Sequence, residues 1–288
     1  MKIAVFGANS YIGGHFCSHA RARGDEIVAY SVAGGWIDST TGAVNPGLRL
    51  ADRLDGVLYL SQSPLYRQHH QALWHMQAVN AAAPARIAAM LAQSSPGAHF
   101  VYLSTGTVYR RAFVPLAEDA PLNRRDGYAL SKIQGEEALA TFAPTLETTV
   151  ARLFGIFGPR QTGKLVPNLM EAVRARRAIS VQPHPTDPSD VGGFRISLCH
   201  VDDAVAGLRR LFDLRGVPVI NLAGLRPFSI REIAQALEVA LGIPARIEMA
   251  ATAREGDLIA DVTLMKRYLT MGETDIARIA RAMAEAAA

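Results

Sequence analysis

Cysteine is nearly absent from this chain of 288 residues: Cys17 and Cys199 are the only two, and they form no C-x-x-C pair. That excludes a disulfide-stapled module and agrees with a reducing, cytoplasmic setting. Long apolar runs are missing as well, since none approaches the ~18 residues that a spanning helix needs. The apolar start Ile3–Phe6 gives way at once to Gly7-Ala8-Asn9-Ser10, which has neither the length nor the cleavage pattern of a signal peptide; no membrane partner is expected. Charge of one sign is also scarce, with a formal net charge of +4 and 19% charged residues. Arg174, Arg176 and Arg177 cluster without interleaved aromatics and read as a solvated helix end, so nucleic acid is not an expected partner. His69, His70 and His75 lie close together, but no carboxylate or cysteine accompanies them at ligand spacing. They read as a solvated loop and helix start, and no metal is expected.

What the chain does have is an alternation of short apolar runs with helical stripes, in a sequence 49% hydrophobic. Strands are expected at Lys2–Phe6, Glu26–Ser31, Gly56–Ser61, His99–Ser104 and Thr148–Phe154. Helices are expected between them at Ile12–Arg23, Leu73–Ala92 and Ala129–Phe142. This is the pattern of an α/β protein, a Rossmann-type doubly wound parallel sheet. Beyond Gly158-Pro159 the rhythm loosens, and Gln182–Gly193 is a loop rich in proline, aspartate and glycine. A helix at Val201–Asp213, a strand at Val217–Asn221 and helices at Ile230–Leu241 and Asp275–Ala287 follow. The expected division is therefore interleaved: residues 1–160 with about 197–223 as the dinucleotide domain, and 161–196 with 224–288 as a smaller α/β substrate domain.

The turn Gly7-Ala8-Asn9-Ser10-Tyr11-Ile12-Gly13-Gly14 joins the first strand to the first helix. Backbone N–H groups and the helix dipole at such a turn suit a pyrophosphate. Gly7 can supply the tight turn, and Gly13 or Gly14 the close helix packing. The second strand ends in Tyr30-Ser31-Val32, with neither the acid that grips the ribose of NAD nor an arginine for NADP. Ser31 suits either, which leaves NAD and NADP both open. Between Ser31 and Asp55 there is little room for a strand, a helix and their connections, and Trp36 with Ile37–Val44 suggests a small hairpin.

Tyr128 and Lys132 fall one helical turn apart on one face. A tyrosine ionises near pH ~10, so proton exchange near neutrality asks for a shift worth roughly 4 kcal/mol. One positive charge about 6 Å away supplies roughly 2.8 kcal/mol of it at an effective dielectric near 20. Upstream, the strand His99–Ser104 runs into Thr105, Thr107 and Tyr109 at a carboxyl edge, where open α/β sheets bind ligands.

Taken with Glu118-Asp119-Ala120-Pro121, Arg152–Pro159, His200-Val201-Asp202-Asp203, Asn221–Gly224 and Arg254-Glu255-Gly256-Asp257, these motifs make the chain resemble the extended short-chain dehydrogenase/reductase family. The likeness is to its nucleotide-sugar epimerase/dehydratase branch and covers almost the whole chain. It implies an NAD(P)-dependent epimerase or ketoreductase of a nucleotide-diphosphate sugar. Tyr128 would exchange the hydroxyl proton, Lys132 would hold the nicotinamide ribose and lower the tyrosine pKa, and Thr105 would bond the reacting oxygen. The implied cofactor site comprises Gly7, Asn9, Ser10, Tyr11, Ile12, Gly13, Ser31, Leu60, Ser61, Asn80, Ser104 and Leu153, together with Tyr128 and Lys132. The implied substrate contacts are Thr105, Thr107, Gly155, Arg195 and Arg254, and the implied assembly is a homodimer paired through helices 73–92 and 129–142.

Some positions depart from that pattern. Ser10 replaces the middle glycine of the turn, and Gly155 stands where an asparagine reaches the substrate diphosphate. Gly106 and Thr107 replace the acidic pair of the 4,6-dehydratases, so that activity is not expected. A ketoreductase of a non-nucleotide carbonyl metabolite is the alternative enzyme, and a catalytically silent nucleotide-sensing regulator is the non-enzymatic one.

Overall fold

The computed structural model of the chain describes residues 1–285; the last two residues of the expected helix 275–287 lie outside them. The first half runs β1 (Lys2–Phe6), α1 (Tyr11–Ala22), β2 (Glu26–Tyr30), β3 (Gly56–Tyr59), α2 (Leu73–Gln77), α3 (Ala83–Ser94), β4 (His99–Thr105), α4 (Gly127–Ala140) and β5 (Glu147–Leu153). It continues with β6 (Ile156–Phe157), α5 (Leu165–Arg174), β7 (Ile179–Val181), β8 (Arg195–Ser197), β9 (Cys199–His200), α6 (Val201–Leu211) and β10 (Val219–Leu222). Last come β11 (Pro227–Ser229), α7 (Ile230–Leu241), β12 (Ile247–Met249), α8 (Met265–Tyr268) and α9 (Ile276–Glu285). Among the described residues no helix is long and apolar enough to cross a membrane.

Six strands form the central sheet in the order β10-β5-β4-β3-β1-β2. β1 pairs in parallel with β2 on one side and β3 on the other, and β3 pairs in parallel with β4. The chain leaves β1 in opposite directions, so the crevice beyond the carboxyl ends of β1 and β3 is a topological switch point, where such sheets bind ligands. β3 is buried along its whole length, as a strand covered on both faces must be.

Between β2 and β3 there is neither strand nor α-helix. Residues 31–55 form a short 3-10 turn and a loop closed by one antiparallel bridge, Ile37 to Val44, which is the hairpin that the sequence suggested. Its apolar residues Trp36, Ile37, Val44, Leu48 and Leu54 are buried in the core that holds Phe6, Tyr59 and Tyr102. The loop thus covers a sheet face that a helix would otherwise cover.

The expected helix 73–92 is not continuous. α2 passes into a π-helical turn at Ala78–Ala82 before α3 begins. Pro84 explains the break: it has no N–H to give to the carbonyl of Asn80, four residues back. The freed carbonyl accepts from the Tyr102 hydroxyl at 2.6 Å, and its neighbour Val79 O accepts from Tyr59 at 2.5 Å. α4 lies against this turn, because a β-carbon on Gly135 would sit 2.2 Å from Asn80 O.

The chain divides into two compact units. One comprises Met1–Arg110, Pro121–Arg152 and Val205–Ile220; the other comprises Arg111–Ala120, Leu153–Ala204 and Asn221–Ala288. The second unit holds the antiparallel pair β8–β11 and the parallel pair β7–β12. Its helix α7 starts on a capping box in which Ser229 and Glu232 satisfy each other's backbone N–H groups.

The first unit also buries an ion pair. Arg152 bonds Glu136 through Nε and through Nη2 at 2.6 Å, and donates to the Tyr109 hydroxyl at 2.9 Å. Their side chains are 6% and 7% exposed. Removing one member leaves the other charge buried without its partner, so Arg152→Ala is expected to destabilise the fold by about 3–5 kcal/mol, read from urea denaturation of variant and parent.

Candidate functional site

The nucleotide turn is built as its residues require. Gly7 has φ of 90°, a conformation that L side chains avoid. Ser10 caps α1, its Oγ accepting from Gly13 N at 3.1 Å, so the hydroxyl proton stays available to a ligand. A β-carbon on Gly13 would meet Gly7 O at 2.1 Å, whereas one on Gly14 would meet nothing. Of the two glycines left open by the sequence, Gly13 is therefore the one that the close packing demands. Tyr11, Ile12 and Gly13 form the first turn of α1, which carries no acidic residue and leaves the positive end of the helix dipole unopposed.

This turn forms one wall of a cavity of about 470 Å³, wholly inside the first unit. Gly7, Asn9 and Ser10 line it with Leu60, Ser61 and Gln62 beyond β3, and with Ser31 and the loop Val32–Ser39 beyond β2. Ser31 caps the 3-10 turn in the same way, its Oγ accepting from Gly34 N at 3.2 Å. Two buried polar atoms on the residues of this wall, Ser61 Oγ and Trp36 Nε1, have no hydrogen-bond partner.

Tyr128 stands at the start of α4, whose N-cap is Asp126. Its hydroxyl donates to Gln62 Oε1 at 3.0 Å and shares a hydrogen bond with Thr105. Thr105 Oγ1 lies 3.1 Å from Thr107 Oγ1. Lys132 is buried; its Nζ donates to Leu103 O at 3.0 Å and sits 4.8 Å from the centre of the Tyr102 ring. Burial pushes this amine down to about 7, against the opposing pull of Glu136.

Burial, reinforced by the neighbouring Tyr66, holds the Tyr128 phenol above its ordinary value, and only the Thr105 hydrogen bond acts the other way. Lys132 is not among the groups that shift it in this structure, and its amine is turned onto the Leu103 carbonyl. In the free protein Tyr128 is a proton donor.

Other candidates are placed as follows. Ser104 donates to Glu136 in the buried network with Arg152. Asn80 is buried and committed, accepting from Ser63 N at 3.2 Å and donating to Ser131 Oγ at 2.9 Å. Leu153 is buried at the end of β5. In the second unit a β-carbon on Gly155 would sit 2.7 Å from Ser197 O, so close backbone approach explains the missing asparagine. Arg254 is buried between two carboxylates, with Nη2 2.5 Å from Asp190 and Nε 2.9 Å from Asp257. Asp190 also holds the half-exposed Arg195 at 3.2 Å.

His75 is not solvated as its neighbourhood in sequence suggests. It is buried, with Nδ1 2.8 Å from Ser63 Oγ and Nε2 3.2 Å from Ser39 O. Among the described residues no group of side chains could hold a metal ion. Gln62 and Glu136, which bond Tyr128 and the Ser104–Arg152 network, are candidates that sequence reasoning missed. Glu136 carried a signal, lying one helical turn beyond Lys132 on the same face; Gln62 carried none.

Residues 3–223 match the model of the NAD dependent epimerase/dehydratase family. A UDP-glucuronic acid decarboxylase from Arabidopsis thaliana is 27% identical over 164 residues, 53% of this chain and 46% of that protein. A dTDP-4-dehydro-6-deoxy-D-allose reductase from Streptomyces bikiniensis is 28% identical over 131 residues, 43% of this chain and 38% of the other. The chain thus spans less than half the length of these curated relatives. Among solved structures, the UDP-glucuronic acid 4-epimerase from Bacillus cereus, in complex with UDP-glucuronic acid and NAD, aligns at a TM-score of 0.78 and 18% identity, over 99% of this chain and 98% of that one. At that identity the likeness is one of fold.

The family's cofactor is NAD, and the first unit suits such a dinucleotide. Gly7 and Gly13 clear the turn of β-carbons, the end of α1 is free of acids, and Ser61 Oγ lacks a partner beside Gly7.

Two measurements test this geometry. Gly13→Ala is expected to destabilise the protein by about 1–3 kcal/mol through overpacking, while Gly14→Ala, in open space on the exposed side of α1, should stabilise it by roughly 0.5–1 kcal/mol. For Lys132 the folded pKa lies below the unfolded one, so the unfolded chain binds more protons between about pH 7 and 10.5. The cost of burying its charge is full below pH 7 and fades above it. Denaturation of Lys132→Met beside the parent should show a relative advantage for the variant that shrinks as pH rises from 7.

Proposed function

This chain belongs to the NAD dependent epimerase/dehydratase family, and on that premise we propose that it is an NAD-dependent epimerase or ketoreductase of a nucleotide-diphosphate sugar, working by hydride transfer with Tyr128 as acid and base. The observation that carries the reading is the Tyr128 hydroxyl bracketed by Thr105 and by Gln62, a residue of the cavity wall. Bound NAD supplies the hydride acceptor or donor. The chain's own residues orient and protonate. Thr105 holds the reacting oxygen, and Tyr128, kept protonated by burial, delivers its proton to the oxygen of a carbonyl under reduction. In the oxidative direction the same phenol must lose its proton, which added positive charge beside it favours. Lys132 contributes by its seat on Leu103 O beneath the site.

Gly106 and Thr107 offer no carboxylate at the end of β4, which speaks against the elimination of a 4,6-dehydratase. The unpaired cysteines Cys17 and Cys199 accord with work in the cytoplasm. A homodimer through the helical segment 73–92, which holds α2 and most of α3, and through α4 is part of the reading, supported by Trp74, 55% exposed on α2; light scattering on the purified protein tests it.

One observation favours the second reading, a ketoreductase of a non-nucleotide carbonyl compound. Two carboxylates already neutralise Arg254, and a neutralised guanidinium attracts a diphosphate weakly. Arg195→Ala separates the two: a rise in KM for UDP- or dTDP-sugars supports the nucleotide substrate, and an unchanged KM supports the other.

Tyr128→Phe is expected to lower kcat by about 10²–10⁴-fold while NAD still binds. Turnover without net change in the NADH absorbance identifies an epimerase, and stoichiometric NADH consumption a reductase. Undiminished turnover by the variant refutes the assignment of the proton to Tyr128.

A further inference from the structure

The Tyr128 phenol has one hydrogen to give, and it goes to Gln62 Oε1 at 3.0 Å. A carboxamide oxygen can only accept, so this bond exists while the phenol is protonated and is lost when it ionises. On its other side the phenol meets Thr105, whose Oγ1 accepts from Thr107 N at 3.2 Å. The Thr105 bond to Tyr128 favours the anion, as a bond donated to the phenolic oxygen does. Thr105 and Gln62 therefore pull on the same proton in opposite senses.

Gln62 is exposed, yet the chain beside it is fixed. Ser63, the next residue, is buried. Its N–H donates to Asn80 Oδ1 at 3.2 Å, and its Oγ accepts from Leu65 N at 3.1 Å and lies 2.8 Å from His75 Nδ1. His75 Nε2 is 3.2 Å from Ser39 O, an oxygen that only accepts, so Nε2 carries the ring hydrogen and Nδ1 of the neutral ring receives the Ser63 hydroxyl. These bonds hold the backbone that presents Gln62. Asn80 is tied in turn to Ser131 at 2.9 Å, on the helix that carries Tyr128, so both partners of the 3.0 Å bond are anchored to one buried network.

The ionisable groups around the phenol do not favour its anion. Tyr66, whose ring lies 5.5 Å from that of Tyr128, and Asp126 at the start of α4 both act against it. Tyr102 is itself kept protonated by burial, and the Lys132 amine is given to Leu103 O. We propose that Gln62 is a further catalytic residue of this site: its carboxamide oxygen holds the proton on Tyr128 and so keeps the free enzyme in the form that protonates a carbonyl under reduction. The proposal rests on the reading of Tyr128 as acid and base. A substrate carbonyl is the same kind of acceptor as Gln62 Oε1, so it takes over the hydrogen bond of the phenol with no change in protonation.

Tetranitromethane nitrates a phenolate and not a phenol, so its rate at Tyr128 follows the ionised fraction. Peptide mass spectrometry reads that rate against Tyr268, 39% exposed, on the purified full chain with neither cofactor nor substrate added. Gln62→Met and Gln62→Glu keep the length of the glutamine, which leaves the access of the reagent unchanged. Gln62→Met removes the acceptor and should speed nitration of Tyr128 by about three- to tenfold. Gln62→Glu puts a charged acceptor in its place and should slow it by about threefold or more. With UDP-glucose or UDP-glucuronic acid as the probe, the pH at which the rate of sugar oxidation reaches half its plateau should fall by about half to one unit in Gln62→Met and rise in Gln62→Glu. A residue that only shapes the pocket would lower kcat at every pH without moving that point. Equal nitration rates in the parent and both variants, absence of reaction included, overturn the proposal, and so does a slower rate in Gln62→Met. Undiminished turnover by Tyr128→Phe overturns the function beneath it and leaves the nitration result standing.

Discussion

Burying charge inside the first unit is the constraint to which the rest of its site conforms. Lys132, Glu136 and Arg152 are each less than a tenth exposed, and each can stay there only with partners in fixed positions. Glu136 takes Arg152 and Ser104, Arg152 takes Tyr109, and Lys132 takes the carbonyl of Leu103. One face of α4 is thereby fastened to the end of β4. Tyr128 lies one turn before Lys132 on that helix, so the fastening also sets where the phenol stands. Ser131 and Gly135 complete the same face, bonding Asn80 and admitting its carbonyl.

The same economy shapes the turn beside Asn80. A proline that cannot donate leaves a carbonyl open, a buried tyrosine hydroxyl needs an acceptor, and the π-helical turn satisfies both. Tyr102, which meets that carbonyl, is also the ring over which the Lys132 amine is held. The local irregularity is tied to Lys132 on α4 through one side chain.

Arginine plays two different parts in this chain. Arg152 completes a buried network in the first unit; Arg254 in the second is gripped by Asp190 from the Gln182–Gly193 loop and by Asp257 from its own motif. Asp190 reaches Arg195 as well. A loop carboxylate therefore occupies two guanidinium groups that resemblance alone would assign to a phosphate. Gly155 belongs to the same unit, and the Ser197 carbonyl against it leaves no space for the longer side chain of related proteins.

Much of this was legible in the order of residues. Alternating apolar runs and helical stripes are local consequences of backbone geometry, so β1 to β5, α1 and α4 stand close to where periodicity puts them. The Gly7 turn and the spacing of Tyr128 and Lys132 were visible for the same reason, since each involves residues within one turn or two. What tertiary structure decided was every property set by neighbours distant along the chain. Gln62 meets Tyr128 across 66 positions, His75 becomes a buried bridge between Ser63 and Ser39, and the Lys132 amine finds the carbonyl of Leu103. Protonation follows the same rule: a pattern states which ionisable groups are present, but desolvation and hydrogen bonding fix their charge, and both depend on what the folded chain packs around them.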